Sequence, residues 1–94
     1  MKSIHILVSG QVQGVFYRSF TKTAAEKLGI TGWVKNLPDG RVEALATGNE
    51  NKITKFIEEL KRGPPASRVD NVEITEIQPS EIKEKYTDFR ISRD

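Results

Sequence analysis

The chain has no cysteine and carries one histidine, one methionine and one tryptophan among its 94 residues. Without cysteine there is no disulfide, no thiolate nucleophile and no cysteine metal site, which agrees with a reducing, cytoplasmic setting. A histidine phosphoenzyme would have to use His5, which lies in a strand-like segment and has no second histidine to work with. The four aspartates, at positions 39, 70, 88 and 94, form neither an Asp-x-Asp pair nor a metal-ligand cluster. No apolar run approaches the roughly 18 residues that span a bilayer. The opening MKSIHILVSG has too short an apolar stretch for a signal peptide and reads as a first strand. Charge of one sign is nowhere concentrated. Fifteen basic and 13 acidic residues are interspersed to a net +2, a mild bias toward anionic ligands and too weak a one for nucleic acid. Neither nucleic acid nor a membrane is expected as a partner.

What remains is the size and polarity of one small domain over residues 1–94, with 30% charged residues and a net stability on the order of 5–10 kcal/mol. Small size and an even spread of charge favour a monomer.

Apolar periodicity supplies the element order. Ile4, Ile6 and Val8 alternate with His5, Leu7 and Ser9, as a half-buried strand requires. Phe16, Phe20, Ala24 and Leu28 recur every four residues as one apolar helical stripe, which Gly29 ends. On this pattern Phe16 and Phe20 belong to the core, while Tyr17 either packs or lines a pocket mouth. Ile30 to Lys35 reads as a second strand, Leu37-Pro38-Asp39-Gly40 as a hairpin turn, and Val42, Ala44 and Ala46 as a third strand. Asn49 caps a second helix whose buried face is Ile53, Phe56, Ile57 and Leu60, and Gly63-Pro64-Pro65 stops it. Val72 to Ile77 gives a fourth strand, and Phe89 and Ile91 a short last one. The polar stretch from Gln78 to Asp88, with Lys83-Glu84-Lys85, reads as a solvated loop. The order β-α-β-β-α-β is that of an α+β, ferredoxin-like sandwich, an antiparallel sheet with two helices on one face.

The segment with chemical content is GQVQGVFYR, residues 10 to 18. It follows a strand, opens a helix, and sets two glycines and a run of backbone N–H groups ahead of an arginine. Such N–H groups form an anion-binding concavity, and the helix N-terminus adds positive potential. Arg18 supplies a planar, permanently charged fork that matches phosphate oxygens two at a time. Spacing alone leaves plainer readings open. Arg18 also suits a surface position in a first helical turn, Asn36 a turn preceding Leu-Pro-Asp-Gly, and Gly10 and Gly14 a tight strand-to-helix connection. The loop is not a Walker A motif, because G-x-x-x-x-G-K-[ST] is absent.

With a second block, the chain resembles the acylphosphatase family. Gly10-Gln11-Val12-Gln13-Gly14-Val15-Phe16-Tyr17-Arg18 is similar to the family's phosphate loop, G-x-V-Q-G-V-x-[hydrophobic or aromatic]-R. Gly32-Trp33-Val34-Lys35-Asn36, followed by Asp39-Gly40-Arg41-Val42, is similar to its G-W-V-x-N block and the turn after it, and Gly63-Pro64-Pro65-Ala66-Ser67-Arg68-Val69 to its GP-x-A-x-V stretch. The resemblance runs from about Lys2 to Ile91. It implies the ferredoxin-like fold and the hydrolysis of a small-molecule acyl phosphate to a carboxylate and inorganic phosphate, with no metal and no cofactor. It implies further that Arg18 and Asn36 are the catalytic residues, Arg18 binding the phosphate and Asn36 positioning the attacking water. The loop from Gln13 through Gly14, Val15, Phe16 and Tyr17 to Arg18 would cradle the phosphate oxygens. The chain departs from the family at its end, Ile91-Ser92-Arg93-Asp94, so no contact from that end to the site is assigned.

Other roles of ferredoxin-like domains fit less well. An RNA-recognition module needs paired strand aromatics and its K/R-G-F/Y-G/A-F-V motif, and a copper chaperone needs Cys-x-x-Cys; the chain has neither motif. A regulatory domain that binds a phosphorylated ligand without turning it over stays open. The pairing of Arg18 with Asn36 speaks against it, because an anion sensor has no need of the asparagine.

Overall fold

Hydrophobic alternation in the first segment produces a strand whose even-numbered side chains are sealed from water. In the computed structural model, which describes residues 1–82 and 85–92, strand β1 (Lys2–Gln11) buries Ile4, Ile6 and Val8. It is followed by α1 (Tyr17–Lys27), β2 (Thr31–Asn36), β3 (Val42–Gly48), α2 (Glu50–Arg62), β4 (Arg68–Ile77), a single 3₁₀ turn (Pro79–Glu81) and β5 (Phe89–Ile91). The strands form one sheet in the order β4-β1-β3-β2-β5. The first four pair antiparallel, as the ferredoxin-like plan requires. The fifth lies parallel to β2, with Gly32, Trp33 and Val34 opposite Phe89, Arg90 and Ile91, so the complete sheet is mixed.

The core joins both helices to one face of this sheet. Val34, Val42, Ala44 and Ala46 join the β1 residues beneath Ile53, Phe56 and Leu60 of α2, and the Phe56 and Phe89 rings meet edge to face at 5.9 Å. The α2 boundaries follow the local chemistry expected of them. Asn49 Oδ1 accepts from Asn51 N at 2.9 Å, and Gly63 leaves the helix with φ +67°.

The phase of α1 differs from the four-residue stripe. The helix begins at Tyr17, and its buried residues are Tyr17, Thr21, Ala24 and Ala25. Phe16 is not a core residue: it precedes the helix in the left-handed conformation, at φ 62°, and is 82% exposed. Phe20 is half-buried, its ring 6.2 Å from that of Tyr17. The buried Thr21 is satisfied because its Oγ1 donates to Tyr17 O at 2.8 Å.

Two further differences bear on the site. Strand β4 starts at Arg68, four residues before the hydrophobic alternation suggests, and its pairing with β1 shifts register between Ser9 and Gly10. At this bulge Gly10 has φ +128°, and a Cβ there would collide with the carbonyl of Arg68. The bulge lets the end of β1 bend and release the loop that precedes α1. The 78–88 stretch contains the 3₁₀ turn, while Lys83 and Glu84 lie outside the described residues, as do Arg93 and Asp94.

Candidate active site

The loop released by the bulge, the start of α1, the end of β2 and β5 meet around an open cleft of about 290 Å³. Its lining comprises Val12, Gly14, Phe16, Tyr17, Arg18, Ser19, Asn36 and Ile91. Among the described residues, none that lines the cleft is a carboxylate, imidazole or thiol.

The N-terminus of α1 supplies the electrostatics. Phe16 occupies the N-cap position without a side-chain hydrogen bond, and the first turn holds no acidic residue. The first intrahelical bond is donated by Phe20 N to Phe16 O at 3.0 Å, and among the described residues none of the N–H groups from Gly14 to Ser19 donates to another residue. A run of free N–H groups at the positive end of a helix is an anion cradle. Gly14, with φ +73° and open space where a Cβ would stand, turns the chain into it. The guanidinium of Arg18, a half-buried residue in the first turn of the helix, takes part in no ion pair or hydrogen bond among the described residues.

Asn36 ends β2 just before the hairpin turn, opposite Val42. Its Oδ1 is buried and has no hydrogen-bond partner among the described residues. An unpaired buried carbonyl oxygen costs about 1–3 kcal/mol, which a protein retains where the acceptor has a use.

The hairpin and the loop are fastened together by Gln13. Its Nε2 donates to Leu37 O at 2.8 Å and to Arg41 O at 2.9 Å. The turn itself is held by Leu37 N donating to Arg41 O at 2.8 Å and by Asp39, whose carboxylate accepts from Arg41 N and Nε. The main-chain bond from Arg41, with its guanidinium adding to the effect, keeps the Asp39 carboxyl below its ordinary pKa.

The cleft therefore gathers Gly14, Phe16, Tyr17, Arg18 and Asn36 from the residues singled out in the sequence, but not the side chains of Gln13 and Val15. Gln13 is spent on the hairpin carbonyls and Val15 packs in the core. The Tyr17 ring is also core: its hydroxyl donates to Leu60 O at 2.6 Å, and burial pushes its phenol well above the ordinary 10.0. Val12, Ser19 and Ile91 are contributions sequence reasoning missed, and Ile91 comes from a distant strand. Its signal was the short apolar alternation Phe89-x-Ile91, which places a strand but not the strand's neighbour. His5 lies outside this lining, on β1, where its Nε2 is 2.7 Å from Glu43 Oε2; Lys35 joins Glu43 at 3.6 Å and covers the Trp33 ring at 5.3 Å.

Comparisons with known proteins point to one family. The family model described as Acylphosphatase matches residues 4–91. An acylphosphatase from Methylococcus capsulatus is 43% identical over 94 residues, covering 100% of this chain and 99% of its own. The crystal structure of acylphosphatase from Bacillus subtilis superposes with a TM-score of 0.90 at 42% identity, covering 98% of this chain and 99% of its own. The structure of an acylphosphatase from Coxiella burnetii gives 0.87 at 46%, covering 97% of this chain and 92% of its own. Among the described residues no helix is long and apolar enough to cross a membrane.

Proposed function

The chain belongs to the acylphosphatase family and hydrolyses the carboxyl–phosphate bond of acyl phosphates; we propose that it does so without a metal, by attack on phosphorus of a water held at Asn36. The observation that carries this reading is that Asn36, whose buried Oδ1 has no partner among the described residues, lines the same cleft as Arg18 and the start of α1. The amides from Gly14 to Ser19 and the Arg18 guanidinium receive the phosphoryl oxygens. In a loose transition state charge is spread over these oxygens, and donors already fixed in place stabilise it with little reorganisation. Asn36 Oδ1 accepts a hydrogen bond from the water and so aims the water's lone pair, which contributes through orientation. The amide is far too weakly basic to remove that proton, which passes to a phosphate oxygen or to bulk water. The carboxylate leaves without needing an acid.

The metal-free part of the reading rests on the donor set. Main-chain N–H groups and a guanidinium repel a divalent cation, and a single amide oxygen does not hold one. With no carboxylate or imidazole among the described residues of the cleft, the rate should not follow the titration of such a group between pH 5 and 8.

Hydrolysis of benzoyl phosphate in ¹⁸O-labelled water with a chelator present tests the whole. Label in inorganic phosphate, at a rate the chelator leaves unchanged, is the expected result. Label in benzoate would mean attack at the carbonyl carbon, and loss of rate with chelator would mean a metal.

A further inference from the structure

Phe16 is a bulky residue at positive φ, the one non-glycine residue with that conformation among those described. Left-handed backbone suits glycine or asparagine and penalises a side chain of this size. Nothing in the packing compensates. The ring is 82% exposed, takes no part in the aromatic pairs Tyr17–Phe20 and Phe56–Phe89, and caps no N–H group of α1. What the conformation achieves is to set an aromatic side chain at the open edge of the cleft. Strain retained at a site of this kind points to use.

The reaction geometry says what would meet it. In-line displacement puts the attacking water and the leaving carboxylate on opposite sides of phosphorus. With the water at the buried Oδ1 of Asn36, the acyl group faces the open side, where the exposed Phe16 stands; the half-buried Ile91 also lines the cleft. Resting on the placement of phosphate and water proposed above, we infer that Phe16 is the residue that receives the acyl group. It biases the enzyme toward acyl phosphates whose acyl part is aromatic or bulky and apolar. An aromatic acyl group offers a face or edge to the ring, whereas the two carbons of acetyl phosphate offer little area.

The test compares kcat/KM for benzoyl phosphate and acetyl phosphate in the wild type, Phe16→Asn and Phe16→Leu. Any effect on the loop backbone is shared by both substrates and cancels in their ratio. In Phe16→Asn, whose side chain tolerates the left-handed backbone, the benzoyl-to-acetyl ratio should fall about three- to tenfold, mainly through a raised KM for benzoyl phosphate. Phe16→Leu, which keeps apolar bulk, should fall less. Thermal melting of both variants checks the fold, and Phe16→Asn should melt no lower than the wild type. A ratio that stays within about twofold of the wild type in both variants, or loss of turnover of both substrates together, overturns the assignment. Arg18→Ala, assayed alongside, separates this from the underlying reading: undiminished turnover there removes the cleft itself as the site, whatever the Phe16 ratio.

Discussion

The side-chain amide of Gln13 donates to the main-chain oxygen of Leu37 at 2.8 Å, one residue beyond Asn36. A second bond from the same nitrogen, to Arg41 O at 2.9 Å, closes the hairpin turn onto the loop. The proposed phosphate cradle and the proposed water-holding residue come from different elements, and this side chain ties them.

Gln13→Ala should therefore lower kcat about tenfold, by loosening the register between loop and hairpin, and cost about 1–2 kcal/mol of stability. Gln13→Glu should be worse than alanine on both counts near neutral pH, because a carboxylate would then face two carbonyl oxygens. Steady-state kinetics and urea unfolding check the order Gln, Ala, Glu; a glutamate variant as active and stable as the wild type contradicts the fastening role.

The buried Oδ1 of Asn36 predicts a separation of stability from activity. Removing an unsatisfied buried acceptor relieves a penalty of about 1–3 kcal/mol, against which some packing is lost. Asn36→Ala should unfold at a urea midpoint equal to or above that of the wild type. A clear loss of stability would mean that the oxygen has a structural partner and is not held in reserve for water.

Tyr17 ties α1 to the last turn of α2 through its hydroxyl. Burial raises its folded pKa above the ordinary 10.0, so the folded state holds the phenol proton more tightly than the unfolded state does. The associated stability is fully present below the unfolded value and is lost as pH rises beyond it toward the raised folded value. The protein should become markedly less stable above about pH 10. Tyr17→Phe should cost about 1–3 kcal/mol near neutral pH, by leaving Leu60 O without its donor, and should flatten part of the alkaline loss. Denaturant midpoints across pH 8 to 11.5 decide; parallel curves for the two proteins would remove Tyr17 as the cause.

Much of the fold was legible because the pattern of burial is written in apolar residues. Ile4, Ile6 and Val8 fall on β1, Ile53, Phe56 and Leu60 on α2, and Asn49 and Gly63 at the ends of α2. Helix α1 was misphased at its start for a definite reason. Its true stripe contains Thr21, a polar residue made buriable by its bond to Tyr17 O, while Phe16 supplies an apolar signal from outside the helix. The parallel placement of β5 and the early start of β4 at Arg68 depend on pairing with distant strands, which periodicity does not encode. At the site, Gly14, Arg18 and Asn36 were readable as motif residues. The bonds of Gln13 to Leu37 and Arg41 span more than 20 positions, a separation that local pattern does not encode.

The central claim is that Arg18 holds the phosphate and Asn36 the water. The most direct measurement is kcat for benzoyl phosphate, together with the inhibition constant of inorganic phosphate, in Asn36→Ala and Arg18→Ala. In Asn36→Ala, kcat should fall about a hundredfold or more while phosphate inhibits within about threefold of its wild-type constant. In Arg18→Ala, turnover and phosphate inhibition should be lost together. An Asn36→Ala enzyme that keeps wild-type kcat, or that loses phosphate affinity in step with its rate, would contradict the division of roles.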